Sequence, residues 1–253
     1  GFGRIGRLVL RTIVESGRKD IQVVAINGTS NAATMAHLFK YDSVHGRFRG
    51  EVRVDGESID VGFGPIAITA IRDPAQLPHA AMGVEVALEC TGKFNSKDKA
   101  SAHLAAGARR VLVSAPCDEA DLTVYGVNHD RLAKDHKVVS AASCTTNCLA
   151  PVAKVLHEAV GIERGFMTTI HSYTGDQLTL DATHKDLYRA RAAALSMIPT
   201  KTGAAKSIGL VMPELDGKLD GSAIRVPTPN VSAVDLKFTA RRKTSKDEIN
   251  AAI

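Results

Sequence analysis

The sequence has little of what marks a nucleic-acid-binding or membrane protein. It contains no tryptophan, aromatic residues make up 4% of the 253 residues, and the formal net charge is only +5, with a locally basic run at 240–246. A nucleic-acid surface needs clustered basic residues with aromatics, so we expect a solvated surface with a few anion-binding sites and no nucleic-acid partner. No apolar run reaches the roughly 18 residues of a membrane-spanning helix, so we expect no membrane span.

Cysteine is also scarce, and its spacing excludes two classes of site. The four cysteines, at positions 90, 117, 144 and 148, have neither zinc-ligand spacing nor the density of a small disulfide scaffold. We therefore expect a reduced, cytoplasmic protein without a metal site. Cys144 and Cys148 would share a face if both lay on one helix, which leaves a disulfide between them as an alternative to two free thiols. No signal peptide is visible, but the chain does not begin with Met, so this absence decides little.

A glycine-rich motif opens the chain. Gly1, Gly3 and Gly6 have the G-x-G-x-x-G spacing, a helical pattern follows as far as Gly17, and residues 21–27 read as a buried strand. This spacing is typical of a dinucleotide-binding turn when a strand precedes it and an acidic residue follows about 20 positions later. The chain starts inside the motif, so we expect a fragment that lacks its amino-terminal strand.

Strand and helix patterns alternate over the first part of the chain and change after Cys144. The alternation predicts a Rossmann-type, doubly wound parallel sheet over residues 1–143. Longer strands with longer connections predict an α+β catalytic domain with a mixed sheet over residues 144–253. The predicted strands after 21–27 are 51–56, 66–71, 84–92, 110–116, 122–128, 165–174, 222–230 and 232–242, and the predicted helices include 97–108 and 152–160.

A thiol stands where a strand pattern becomes a helical one, in the segment 138–160. Ser143 is a suitable helix N-cap, which places Cys144 at the amino terminus of a helix. The unpaired N–H groups and the dipole of a helix start lower the pKa of a thiol, so a nucleophile is one interpretation and a small buried hydrophobe the other. His171 ends a strand pattern and is a candidate base, but spacing does not show that it meets Cys144, and a lone histidine is more often structural.

Five segments together identify a family. The segments "GFGRIGR", "ASCTTNCLAP", "TTIHSYTGDQ", "HKDLYRARAAALSMIPTKTGAAK" and "AIRVPTPNVSAVDL" resemble those of phosphorylating glyceraldehyde-3-phosphate dehydrogenases of the bacterial type, over nearly the whole chain. The resemblance implies a cytoplasmic homotetramer of glycolysis or gluconeogenesis. It implies oxidation of glyceraldehyde 3-phosphate to 1,3-bisphosphoglycerate with NAD and inorganic phosphate, through a cysteine hemithioacetal and a thioester.

The resemblance also implies a role for individual residues. Cys144 corresponds to the catalytic nucleophile and His171 to its base. The residues that correspond to cofactor contacts are Gly1, Gly3, Arg4, Ile5, Gly6, Arg72 and Ser114. The residues that correspond to the binding sites of the substrate phosphate and of inorganic phosphate are Ser143, Thr145, Thr174, Arg191, Thr202, Gly203 and Arg225.

Three departures from the family pattern leave alternatives open. Gly28 stands where the family usually has the Asp that holds the adenosine ribose, so we expect weakened NAD binding and reduced discrimination against NADP. Ala142 stands where Asn is common, and the chain ends at Ile253, before the Asn and the long helix of the family's carboxy terminus. The alternatives are an erythrose-4-phosphate dehydrogenase and an inactive fragment that retains only binding functions.

Overall fold

The chain folds as two compact units. A computed structural model describes all residues, from Gly1 to Ile253. The first unit comprises Gly1–Leu122 and Ala133–Ala141, and the second comprises Thr123–Leu132 and Ala142–Ile253. The main division therefore lies two residues before the expected boundary at 143/144, and no pattern in the sequence predicted that 123–132 would pack with the second unit. None of the helices combines the length and the apolar character that crossing a membrane requires.

The first unit alternates short strands with helices, as the sequence pattern indicates. Its elements, in chain order, are α1 (Arg4–Glu15), β1 (Ala25–Asn27), α2 (Ala32–Lys40), β2 (Tyr41–Asp42), β3 (Gly46–Arg47), β4 (Arg53–Asp55), β5 (Ser58–Asp60), β6 (Pro65–Thr69), β7 (Val86–Glu89), α3 (Lys97–Ala100), α4 (Ala102–Ala105), β8 (Arg110–Val113), β9 (Asp121–Leu122) and β10 (Val138–Ser140).

Two four-stranded sheets carry this unit. One has the order β1-β6-β5-β4, with β1 and β6 parallel and the other pairs antiparallel. The other has the order β7-β8-β10-β9 and is parallel throughout. The α/β class expected from the sequence is confirmed. Parallel strands bring their carboxyl ends to one edge of a sheet, which is where α/β proteins bind ligands.

Three of the elements predicted before Cys144 are wrong in extent. Residues 122–128 do not form a strand, since β9 ends at Leu122 and Gly126 adopts a positive φ of 84°, which a strand does not accommodate. The helix expected over 97–108 is interrupted at Ser101, whose hydroxyl donates to the Lys97 carbonyl at 2.7 Å. The strand expected over 21–27 begins only at Ala25.

The second unit contains three α-helices and one mixed sheet, and the sequence predicted the mixed sheet. Its elements are α5 (Cys144–Val160), β11 (Ile162–Ser172), β12 (Ile198–Thr200), α6 (Ala204–Val211), β13 (Leu219–Val226), β14 (Ala233–Ala240) and α7 (Lys246–Ala252). The strand order is β12-β13-β11-β14, in which only β11 and β13 are parallel. The central strand β11 therefore has a partner on each side along most of its length.

Helix α5 and strand β11 form the framework of the second unit. Leu149, Ala153, Leu156 and Val160 recur at helical spacing and are almost fully buried, so they attach one face of α5 to the sheet. Only Gly161 separates the helix from the strand, and it adopts a φ of +70°. The rise from residue 144 to residue 160 is about 24 Å along a helix, and that from 162 to 171 is about 30 Å along a strand. Strand β11 therefore runs back alongside α5, and the end of the strand lies near the first turn of the helix.

We predict that Gly161→Ala destabilises the protein. A φ of +70° is strained for any residue with a Cβ, and a Cβ here would lie 2.8 Å from Cδ of Arg241. The strain alone is worth about 1–3 kcal/mol. The midpoint of thermal unfolding should fall by roughly 2–4 °C for each kcal/mol.

The matched control for this prediction is Gly175→Ala. Gly175 has no positive φ, and nothing lies within 4 Å of an added Cβ. A Gly161→Ala melting temperature equal to that of the Gly175→Ala control would contradict the assigned role of the turn between α5 and β11.

Candidate active site

Cys144 is the first residue of α5, and the residues before it fix its position. Ser143 is the N-cap, and its hydroxyl accepts a hydrogen bond from the Thr146 N–H at 3.0 Å, as the sequence predicts. Ala142 has a φ of +60°, a region in which non-glycine residues are uncommon and in which Asn is enriched. The chain therefore makes a strained turn immediately before the helix that carries the thiol.

The structure brings Cys144 and His171 together. The Sγ atom of Cys144 lies 3.0 Å from Nε2 of His171, which stands near the carboxyl end of β11. Nδ1 of His171 donates to the Ser172 carbonyl at 2.6 Å, which leaves Nε2 directed at the sulfur. His171 is buried, whereas Cys144 is exposed. A fixed imidazole thus faces a thiol that a substrate can reach.

The electrostatics of this pair favour its ionised form. The hydrogen bond from His171 lowers the pKa of Cys144 below its ordinary value, and it outweighs burial, with further hydrogen bonds from Thr145. The same contact raises the pKa of His171, since a hydrogen bond to the sulfur stabilises the protonated imidazole. Cys90 and Cys117 differ from Cys144, because burial raises the pKa of each of these two thiols. Cys144 is therefore the thiol that its surroundings activate.

Arg225 lies beside His171 because β11 and β13 are parallel and in register at these two residues. Its side chain is 11% exposed, and Nη1 donates to the Thr174 hydroxyl at 2.9 Å and to Oε1 of Gln177 at 3.3 Å. Oδ1 of Asp176 lies 3.6 Å from Nη1 of Arg225, and Asp176 accepts a hydrogen bond from the Thr174 hydroxyl. Two of the candidate phosphate ligands, Thr174 and Arg225, are thus in direct contact.

The structure does not bring Arg191 to this cluster. Arg191 is exposed and pairs with Asp181 at 2.9 Å. Arg189 is the mostly buried arginine, and it donates to Asp176 at 2.9 Å and to the Thr200 hydroxyl at 3.1 Å. Because both arginines stand in "YRAR", within an irregular segment, no periodicity in the sequence distinguishes them. The structure therefore places Arg189, and not the expected Arg191, beside Asp176 in this cluster.

The remaining candidate phosphate ligands stand at helix starts. Thr202 and Gly203 precede α6, and the Thr202 hydroxyl accepts a hydrogen bond from the Ala204 N–H at 3.2 Å. Gly203 is the N-cap of that helix and has nothing within 4 Å of an added Cβ. Thr145 is buried in the first turn of α5. Helix starts present unpaired N–H groups, which suit anions.

The glycine motif forms the start of α1 in the first unit. Gly3 is its N-cap and places no side chain over the first turn. A Cβ on Gly6 would lie 2.1 Å from the Gly1 carbonyl oxygen, so the turn requires glycine there. The Arg4 guanidinium pairs with Asp42 at 3.0 Å, which leaves the backbone of the turn, rather than this side chain, free to face an anion. Ile5 is exposed beside it.

The other candidate cofactor contacts follow the carboxyl ends of strands. Gly28 follows β1, and an added Cβ would lie 3.6 Å from Cβ of Phe2, so position 28 faces the glycine motif. Arg72 is exposed and follows Ile71, whose N–H and carbonyl are both bonded to the Asn27 side chain. Ser114 follows β8, and its N–H donates to the Glu89 carbonyl at 3.0 Å. A bare helix start flanked by strand ends fits a dinucleotide. No group of three metal-ligating side chains is present.

Comparison with known proteins agrees with this geometry. Two family models match the chain, the NAD-binding domain of glyceraldehyde 3-phosphate dehydrogenase over residues 1–97 and the C-terminal domain of the same enzyme over residues 143–253. Three relatives named glyceraldehyde-3-phosphate dehydrogenase illustrate the similarity. The protein of Xanthobacter flavus is 74% identical over 100% of this chain and 76% of its own length.

The other two relatives are less similar in sequence but match over the same extent. The protein of Cereibacter sphaeroides is 70% identical over 100% of this chain and 76% of its own length. That of Geobacillus stearothermophilus is 55% identical over the same shares of the two chains, 100% and 76%. The chain belongs to the glyceraldehyde-3-phosphate dehydrogenase family.

Proposed function

We propose that this protein catalyses the oxidation and phosphorylation of glyceraldehyde 3-phosphate to 1,3-bisphosphoglycerate, with NAD and inorganic phosphate. The observation that carries the proposal is the 3.0 Å contact between Cys144 Sγ and His171 Nε2 at the start of a helix. The contact activates a thiol, and Arg225 and Thr174 offer an anion site at the end of the same strand pair. A phosphorylated aldehyde matches both features, because it brings an electrophilic carbon and an anion.

Cys144 and His171 perform the covalent steps in this proposal. The thiolate adds to the aldehyde carbon, which forms a C–S bond and moves an electron pair to the oxygen, and that oxygen takes the proton from Nε2 of the His171 imidazolium to become a hydroxyl. The hemithioacetal hydroxyl then gives its proton to Nε2 of His171 as the carbon is oxidised to a thioester. NAD, when bound, supplies the acceptor for the hydride that leaves this carbon. The Ser172 carbonyl holds Nδ1 throughout, so His171 receives the proton at Nε2 alone.

The anion-binding residues serve the second half of the reaction. An oxygen of inorganic phosphate attacks the thioester carbon, a C–O bond forms, the C–S bond breaks and sulfur leaves as a thiolate. The protonated imidazole of His171 stabilises that thiolate. We assign the substrate phosphate and the attacking phosphate to a set of arginines, hydroxyls and helix starts in the second unit. This set consists of Ser143, Thr145, Thr174, Arg189, Thr202, Gly203 and Arg225.

The cofactor residues lie in the first unit. We assign the dinucleotide pyrophosphate to the start of α1, where Gly1, Gly3 and Gly6 keep side chains away and Arg4 and Ile5 supply the first helical N–H groups. Arg72 and Ser114 flank this site at strand ends. The similarity to named glyceraldehyde-3-phosphate dehydrogenases favours this substrate over erythrose 4-phosphate, and the intact Cys144–His171 pair argues against an inactive protein.

A homotetramer in the cytoplasm completes the proposal. The segment 178–200 presents large apolar side chains to solvent, and these cluster around one irregular loop. The exposed fractions are 76% for Leu180, 80% for Leu187, 80% for Leu195 and 68% for Met197. Such a patch is more typical of an interface than of a monomer surface, and a second copy of the chain would cover it.

The first test concerns the pH dependence of the thiol. Because His171 holds the pKa of Cys144 below its ordinary value, the thiolate persists on acidification until the pH passes that lowered pKa. In His171→Ala, the midpoint of iodoacetamide labelling of Cys144 should move to higher pH, and the labelling rate at neutral pH should fall. Peptide mapping across a pH series measures both quantities.

The control for this test is His37→Ala, which removes an exposed histidine from α2. Its pH profile should match that of the wild type. If His171→Ala labels with the same midpoint as this control, the imidazole does not set the charge of the sulfur.

The second test separates the two arginines. Arg189→Leu should raise the KM for glyceraldehyde 3-phosphate or for inorganic phosphate about 10–100-fold, because a charged hydrogen bond is worth about 1.5–3 kcal/mol. Labelling of Cys144 by uncharged iodoacetamide should not change. Arg191→Leu is the matched control and should alter neither KM more than about threefold, since exposed ion pairs contribute little. A larger effect at Arg191 than at Arg189 would reverse the assignment.

The third test concerns Gly28. A carboxylate at this position would accept hydrogen bonds from the NAD ribose and would repel the 2′-phosphate of NADP. Only the terminal methyl of Met35, 2.6 Å from an added Cβ, has to move to admit it. Gly28→Asp should therefore tighten NAD about 10–100-fold and widen the preference over NADP. Calorimetric titration of both cofactors measures these changes.

Gly28→Asn is the control for this test, because it has the same size without the charge. It should improve NAD binding less and should not exclude NADP. If Gly28→Asp leaves the ratio of the two affinities unchanged, position 28 does not face the ribose.

A further inference from the structure

A chain of three ionisable side chains, of which Glu89 and His103 are buried and His79 is half-buried, lies beside the glycine motif, and the proposed mechanism does not use it. Oε2 of Glu89 lies 2.9 Å from Nε2 of His103, and Nδ1 of His103 lies 3.0 Å from Nε2 of His79. Glu89 is 2% exposed and His103 is 6% exposed. A carboxylate that is buried to this extent is costly unless it is paired and hydrogen-bonded, so its position calls for a reason.

The other oxygen of Glu89 holds the turn that follows β7. Oε1 accepts the Thr91 N–H at 2.6 Å and also the Thr91 hydroxyl. The Thr91 hydroxyl in turn accepts the Lys93 N–H at 3.1 Å. One carboxylate therefore connects α4, through His103, to the backbone of residues 91–93.

This turn packs directly against the glycine motif. An added Cβ on Gly1 would lie 2.7 Å from Cγ2 of Thr91 and 2.9 Å from its backbone nitrogen. An added Cβ on Gly6 would lie 3.7 Å from Cβ of Cys90. The glycine motif thus packs against the turn after Glu89, so a displacement of this turn would also displace the start of α1.

The hydrogen bond from His79 matches the tautomer of His103 that Glu89 requires. A carboxylate only accepts, so Nε2–H of His103 donates to Glu89. Nδ1 of a neutral His103 then accepts, and Nε2 of His79 is its donor. The two rings lie 5.3 Å apart with an interplanar angle of 25°, which is consistent with an ordered pair. Burial raises the pKa of Glu89, but hydrogen bonds from His103 and Thr91 outweigh it and keep the carboxylate charged.

We propose that His103 is a positioning residue for cofactor binding, which acts through Glu89 to hold the turn at Cys90 and Thr91 against the glycine motif. The inference rests on the proposed function, since it places the dinucleotide at that motif. His103 itself touches neither the motif nor the reacting atoms. Its effect therefore appears in cofactor affinity and in the order of the turn, and not in the chemistry at Cys144.

Cys90 provides a readout that needs no cofactor. This thiol lies within the turn and is half-buried, so its labelling rate reports on local opening. In the full-length enzyme without NAD, His103→Leu should label at Cys90 at least fivefold faster than wild type by peptide mapping, with the rate at Cys144 unchanged. Its Kd for NAD should rise at least tenfold.

Two further variants separate positioning from general stability. His103→Gln retains a donor toward Glu89, so it should restore NAD affinity and Cys90 protection to within about threefold of wild type. Glu89→Gln preserves the size and hydrogen-bonding groups of the side chain but removes its charge, so it should show the same two defects as His103→Leu. If His103→Leu does not fold, Glu89→Gln decides whether the positioning role holds. His136→Leu, which disrupts an exposed pair with Asp121, should show neither defect.

The outcomes that overturn the inference are distinct from those that overturn the proposed function. Wild-type rates at Cys90 and wild-type NAD affinity in Glu89→Gln and in folded His103→Leu would refute the positioning role. Equal defects in His103→Gln and His103→Leu would refute the donor mechanism. A wild-type enzyme that fails to bind NAD would refute the proposed function, whereas faster Cys90 labelling in the variants would still support the connection between His103 and the turn.

Discussion

The 3.0 Å contact between Cys144 and His171 is the constraint on which the second unit is built. It requires that a helix and the following strand run antiparallel, that they have matching lengths, and that a single residue reverses the chain between them. Gly161 provides the reversal, and the buried face of α5 fixes the helix on the sheet. The parallel pairing of β11 with β13 then places Arg225 beside His171 without any further turn. The proposed nucleophile, its proposed base and a proposed anion-binding cation are thus brought together by one packing arrangement.

The charges around this pair are balanced rather than simply positive. Arg225 lowers the pKa of His171, whereas the Cys144 contact raises it more strongly. Asp176 lies between Arg225 and Arg189 and also contacts His184 at 3.6 Å, so it holds the two arginines in place before any anion arrives. Without this carboxylate, two guanidinium groups at one site would repel each other. In the proposed reaction, an incoming phosphate would therefore meet cations that are already oriented.

The sequence predicted those site features that depend on local structure. The N-cap at Ser143, the helix start at Cys144 and the strand end at His171 follow from side-chain chemistry and periodicity within a few residues. The contact between Cys144 and His171 did not follow, because it depends on how far α5 and β11 travel. Arg189 and Arg191 could not be separated, since each lies in a loop whose path is set by ion pairs to Asp176 and Asp181. The strand expected over 122–128 was wrong because Gly126 turns the chain at a positive φ.

The acidic groups around the glycine motif are engaged with other residues of the protein, so none replaces the carboxylate that position 28 lacks. Position 28 faces the motif but is glycine, and Asp42 is paired with Arg4. Glu89 precedes the turn that packs against the motif, but its two oxygens are hydrogen-bonded to His103 and Thr91. No carboxylate is therefore available to bind a ribose at this end of the site. In the proposed site, more of the cofactor affinity then falls to the helix start, which makes it depend on how well the glycine motif is held in place.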